Sequence, residues 1–348
     1  MIDENLPRGS AGSRLKAREL RLQQIRREAK EKGRIESAGV QPLNAPFPLA
    51  SPGNGYYGMP TLKAPAWTWQ VPVYFFTGGA AGASTVIASV AKATGADPRL
   101  IRDARLLAAI GSVISPALLV ADLGMPSRFL NMLRVFKIQS PMSVGSWTLV
   151  IFSSSAVGTA FLASIEKKTG HANRTICNLE NATEFVSLLS GVVLSTYTGV
   201  LIGATAIPVW HKNVGLLPLH FATSGMATAS GLLELRGHEN VALNSIGLAT
   251  ALGETAIGII IELRRDPALR PLKEKKSGWL TRIGGLLSGP LPLLLRLLSL
   301  GGGQERRKKL RKAAAVSSVA GSVLTRFAWT QAGKASAKDP KIPLELPT

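Results

Sequence analysis

The sequence predicts an all-α integral membrane protein, an eight-transmembrane-helix bundle, and three observations carry that expectation. Only 18% of the 348 residues are charged, while 46% are hydrophobic and 35 are glycine. Soluble domains carry about 25% charged residues. The charge is also unevenly placed, with no Asp, Glu, Lys or Arg from Ala64 to Ala91, from Ile138 to Ile165, or from Phe185 to Trp210. Each run exceeds the roughly 20 residues that a helix needs to cross a bilayer. The same composition excludes other classes. The single cysteine, Cys177, allows no internal disulfide and no Cys-ligated iron–sulfur cluster, which takes about four thiolates. No CxxC or HExxH zinc signature occurs. The net charge of +20 lies in segments flanking the apolar runs and in a tail. Membrane lipids, and not nucleic acid, are therefore the expected anionic partner.

Taken in order, residues 1–65 read as a basic, polar N-terminal arm and a Pro/Gly-rich linker. Between Arg8 and Arg34 the basic residues interleave with Glu19, Glu28 and Glu31 around Leu15, Leu22 and Ile25. This is the pattern of a surface helix on lipid or a partner, or of a solvated arm. No apolar h-region follows the basic start, so no cleaved signal peptide is expected. Residues 66–330 form the transmembrane domain, with spans near 69–91, 105–121, 144–165, 185–207, 213–234, 240–261, 279–300 and 312–330. The seventh holds Arg282, Arg296, Pro290 and Pro292, and the eighth is uncharged only from Ala313 to Thr325. A broken or re-entrant element is the alternative for either, since non-helical backbone is tolerated where protein surrounds it. Residues 331–348 are a polar C-terminal tail. The basic arm places both termini in the cytoplasm by the positive-inside rule.

Ionisable groups at membrane depth carry the functional signal, because they are costly there. Asp122 closes the second span, and Arg128 follows past Gly124 and Pro126, which end the helix and turn the chain. The turn lets carboxylate and guanidinium meet, either as an anchor for a headgroup or as a staple that closes the loop. Helix direction brings the starts of the first and third spans and the end of the second to one face. His220, Glu254 and Arg326 fall in the same half of the bundle. Such a set suits proton exchange beside an amphipathic cavity; a hydrogen-bonded structural histidine and a buried Glu254–Arg326 pair are the plain alternatives. Of the four histidines only His220 is embedded, so a bis-histidine haem is not expected, nor a metal. The Gly78–Gly82 run reads as a helix-packing face, because small residues let backbones approach.

Four stretches, WQVPVYFFTGGAAGA (Trp69–Ala83), DLGMPSRF (Asp122–Phe129), SPMSVGSW (Ser140–Trp147) and RFAWTQAGKASAKDP (Arg326–Pro340), together resemble the NrfD/PsrC family of polysulfide-reductase-like membrane subunits. The resemblance implies an eight-helix, quinone-reactive anchor in the inner (plasma) membrane, without haem or metal of its own. It implies menaquinone or ubiquinone as the redox partner, a ferredoxin-like iron–sulfur subunit, and a molybdopterin catalytic subunit. Quinone in that family lies near the start of the first helix, which selects Trp69, Tyr74, Asp122, Arg128 and Trp147, with His220, Glu254 and Arg326 as the proton relay. Some relatives place a histidine on the first helix where this sequence offers Tyr74. A secondary transporter and a non-catalytic anchor for a redox complex are the competing readings.

Overall fold

In a computed structural model, residues 19–28, 62–169, 174–339 and 342 are described. Residues 19–28 form a short, fully exposed helix within the basic arm; the rest of the arm, most of the linker and the end of the C-terminal tail lie outside the described residues. Residues Ala64–Ala337 make one compact unit. The described residues are helical with no β-strand, which agrees with the all-α expectation.

The helices of this unit are α1 (Gln70–Ala93), α2 (Pro98–Asp122), α3 (Pro141–Thr169), α4 (Arg174–Gly203), α5 (Leu216–Leu235), α6 (Val241–Leu263), α7 (Lys275–Ser288), α8 (Pro290–Leu298) and α9 (Gln304–Lys338), joined by short helical turns. Five of the described helices, α1 to α4 and α6, are long and apolar enough to cross a membrane. Their outward faces fit that setting. Leu106, Ile110 and Val113 of α2, Phe161 of α3, Phe185 and Leu189 of α4, and Leu252 and Ile259 of α6 are all exposed. A contiguous apolar surface of this extent is covered by lipid or protein in a native setting.

Helix ends follow local chemistry. Asp97 caps α2 by accepting a hydrogen bond from Arg99 N at 2.9 Å, with Pro98 at the first helical position. This start carries Arg99, Arg102 and Arg105 on the helix ahead of the apolar run predicted from residue 105. Asn240 caps α6 through Ala242 N. The predicted seventh segment is two helices, α7 and α8, interrupted at Gly289 and restarted by Pro290. A methyl group at Gly289 would lie 2.8 Å from Thr255 N, so the break is packed directly against α6. The predicted eighth segment is part of one continuous 35-residue helix, whose buried face is almost entirely Ala, Ser, Gly and Thr.

At the centre lies α1, which packs on α2, α4 and α5. Its glycine run makes this possible. A methyl group on Gly82 would sit 2.3 Å from Gly191 O of α4, and one on Gly225 of α5 would sit 2.8 Å from Gly79 O. The backbones therefore touch on two sides of α1, as small residues allow.

One buried charge is held by a close partnership. Arg296 of α8, wholly inaccessible, donates to Glu234 at 2.8 and 2.6 Å and to Asn244 Oδ1 at 3.1 Å. A residue that weakens the seventh segment as an apolar span is thus a clamp from α8 onto α5 and α6.

Two stability predictions follow from this packing. Gly82→Leu should destabilise the folded protein by at least about 1–3 kcal/mol, since backbone opposes the added side chain, measured by detergent–dodecyl sulfate unfolding. Arg296→Leu alone should cost about 3–5 kcal/mol by stranding the Glu234 carboxylate, whereas Arg296→Leu with Glu234→Leu should recover most of that loss.

Candidate functional site

The site is assembled at the end of the bundle where α1, α5 and α9 meet. Trp67, just before α1, stacks on Trp210 with ring centroids 5.3 Å apart, and Lys334 of α9 donates to Trp67 O. Trp210 Nε1 in turn donates to Trp329 O at 2.9 Å. Gly333 leaves the space that the Trp210 ring fills. These contacts fix the register of α9 against the entry to α5.

That register brings His220 of α5, Glu254 of α6 and Trp329 of α9 together. His220 Nε2 lies 3.2 Å from Glu254 Oε2, and Trp329 Nε1 donates to His220 Nδ1 at 3.2 Å. An indole N–H is only ever a donor, so Nδ1 must present its lone pair. The ring hydrogen then sits on Nε2 and points at the Glu254 carboxylate. His220 and Glu254 are 6% and 3% exposed, so this orientation is set by protein and not by bulk water. The other carboxylate oxygen, Glu254 Oε1, is buried with no partner among the described residues.

Arg326 enters the site indirectly. Its Nη2 donates to Phe221 O at 2.9 Å, and its guanidinium carbon lies 3.8 Å above the Phe221 ring, a cation–π arrangement. Its Nε and Nη1 are buried without partners among the described residues. A direct Glu254–Arg326 pair is not what holds the carboxylate; His220 is.

His220, Glu254 and Trp329 line a cavity of about 320 Å³ whose remaining wall is largely apolar, including Ile259, Leu286 and Ala328, with Pro290 at the α7–α8 break. Its lining also reaches the exposed Glu262–Arg282 pair, 3.5 Å apart. Among the described residues no group of three or more His, Cys, Asp or Glu is placed to hold a metal ion.

The residues expected around the first helix are distributed differently. Asp122 accepts hydrogen bonds from Thr68 N at 3.0 Å and from Thr68 Oγ1, and does not pair with Arg128 among the described ion pairs. The anticipated Asp122–Arg128 staple is replaced by a tie from the end of α2 to the chain entering α1. Trp69 is 60% exposed, and Arg128, which opens the short helix Arg128–Met132, is exposed. Trp147 is half-buried, edge-on to Phe136 at 6.3 Å, and its indole N–H has no partner among the described residues. Tyr74 is buried, and a chain of ring contacts runs from it through Phe75 to Phe221, at 5.6 and 6.0 Å. None of these five residues lines the cavity. Trp329, Trp210 and Thr68 are the participants that sequence reasoning missed. The available signal was slight: Trp329 sits three residues after Arg326, one turn along the same helical face.

Isolating the indole donor is straightforward. Trp329→Phe should convert the single Nε2–H tautomer of His220 into a mixture, read from nitrogen chemical shifts of isotope-labelled histidine in membranes.

The profile of the family described as Polysulphide reductase, NrfD matches residues 60–305. The chain therefore belongs to that family and is a multi-pass helical membrane protein. The match ends at the start of α9, before Arg326 and Trp329. No match is found among curated proteins.

Proposed function

We propose that this NrfD-family chain is the quinone-interacting membrane subunit of a multisubunit oxidoreductase, and that His220 and Glu254 are its proton-exchanging pair. One observation carries the reading: a buried imidazole and carboxylate, with the tautomer imposed by Trp329, stand together in the wall of a largely apolar cavity. Its volume of about 320 Å³ is within the range of small-molecule sites, which are mainly apolar with a few convergent polar groups. Glu254 Oε1, buried and without a partner among the described residues, fits a ring hydroxyl that donates to it, because a free acceptor so placed is otherwise costly.

A bound quinone supplies a two-electron, two-proton couple. The chain supplies the rest. Glu254 takes or gives a proton at Oε1, the oxygen left free by His220. His220 holds the carboxylate in place through Nε2–H, and Trp329 Nε1–H on Nδ1 keeps the imidazole in that tautomer. Arg326 lies beside the pair, held by Phe221 through its carbonyl oxygen and its ring.

Family membership supports the partners in this reading, a ferredoxin-like iron–sulfur subunit and a molybdopterin catalytic subunit, with the chain in the plasma membrane; the basic arm supports both termini in the cytoplasm. Eight crossings are part of this proposal, with α7 and α8 together as the seventh. A second position for the ring is the first-helix face of Trp69, Tyr74, Asp122, Arg128 and Trp147, favoured by the Trp147 indole N–H, which has no partner among the described residues.

The two positions separate in one experiment on the assembled complex in native membranes. Glu254→Gln and His220→Gln should each lower quinol-dependent turnover by about 10²–10⁴-fold, while the subunits still co-purify. Asp122→Ala and Trp147→Phe should leave turnover within about twofold of wild type. The reverse pattern assigns the ring to the first-helix face, and full turnover in all four variants refutes a quinone role for this chain.

A further inference from the structure

A second recess lies at the opposite ends of α1 and α2, away from Trp67 and Asp122. It has a volume of about 590 Å³ and is bounded by α1, α2, α3 and α4. Its floor is apolar, formed by Ile101 and Leu106 of α2 with Ala160 and Ala163 of α3. Its rim is cationic: Lys92, Arg99, Arg102 and Arg105 line it against a single acid, Glu180.

Two of these cations are already engaged. Arg105 lies 2.8 Å from Glu180 and 2.9 Å from Glu184, and Lys92 lies 2.6 Å from Glu184. The other two are not. Arg102 has only Asp103, at 3.6 Å, and that carboxylate is shared with Arg236 and His238 at 3.0 Å each. The exposed Arg99 guanidinium makes no ion pair among the described residues. Arg99 and Arg102 are three residues apart, so they share a helix face. Leu106 continues that face into the exposed apolar surface of Ile110 and Val113. One unpaired guanidinium, that of Arg99 among the described residues, and one held only by a long contact to an already shared carboxylate thus stand at the head of an apolar, outward-facing stripe.

We infer that this recess binds an anionic phospholipid, with its phosphate held by Arg99 and Arg102 and an acyl chain laid along Ile101, Leu106 and Ala163. Guanidinium forks match phosphate oxygens in bidentate geometry. Free phosphate would satisfy the arginines but leave the apolar floor uncovered. A choline headgroup would bring its own cation against a rim already in cationic excess. The site is independent of the quinone reading, since it uses none of the same residues.

The test uses the full chain, purified in mild detergent and stripped of lipid, then titrated with phosphatidylglycerol, with phosphatidylcholine of the same acyl chains, or with inorganic phosphate. Bound lipid is counted by native mass spectrometry. One phosphatidylglycerol per chain should be retained in preference to phosphatidylcholine. The double variant R99Q/R102Q should weaken that retention by roughly thirtyfold, a factor of about five for each cation. R134Q/K137Q, an exposed basic pair elsewhere on the chain, should not change it. Ala163→Phe fills the floor without touching either arginine and should also abolish retention. Equal retention of the two lipids, unchanged binding in R99Q/R102Q, or displacement of the lipid by inorganic phosphate would each overturn the assignment.

Discussion

The close approach of α1 to its neighbours is the contact on which the rest of the unit depends. With no side chain at Gly82 and Gly191, or at Gly79 and Gly225, the central helix lies directly against the backbones of α4 and α5. Hydrophobic burial cannot drive association where lipid is as apolar as leucine, so close packing must do so. The position of α5 then follows, and with it the depth of His220. Gly79 has a further effect, because a methyl group there would lie 3.4 Å from Arg326 Nη2. The bare backbone leaves room for the guanidinium to settle over Phe221.

The two ends of the bundle solve the burial of polar groups in different ways. Away from the candidate site, charges are neutralised by opposite charges: Arg296 with Glu234, Arg105 and Lys92 with Glu180 and Glu184, and Asp103 with Arg236 and His238. Such pairs anchor helices, and each of these carboxylates faces at least one cation. At the candidate site, tryptophan N–H groups, an imidazole and a backbone carbonyl do the pairing, and one carboxylate oxygen is left over. Proton exchange needs that incompleteness. An ion pair as tightly closed as Arg296–Glu234 would leave Glu254 no free position.

Apolar run length, charge-free intervals and the cost of charge in hydrocarbon act locally, and they determined the all-helical membrane fold, the approximate positions of its five long apolar helices, and the choice of His220, Glu254 and Arg326 as residues of interest. Caps such as Asp97 and Asn240 are local as well, each satisfied within two residues, although the sequence reading did not single them out. Partner identity was not. Asp122 has Arg128 six residues away and bonds Thr68, 54 residues away. Arg296 reads as a flaw in an apolar segment until Glu234 is seen beside it, 62 residues away. Trp329 fixes the His220 tautomer from 109 residues away. Each of these pairings depends on the axial register of one helix against another. That register is set by where glycines permit backbone contact and where indoles wedge between helix ends, which only the tertiary structure decides.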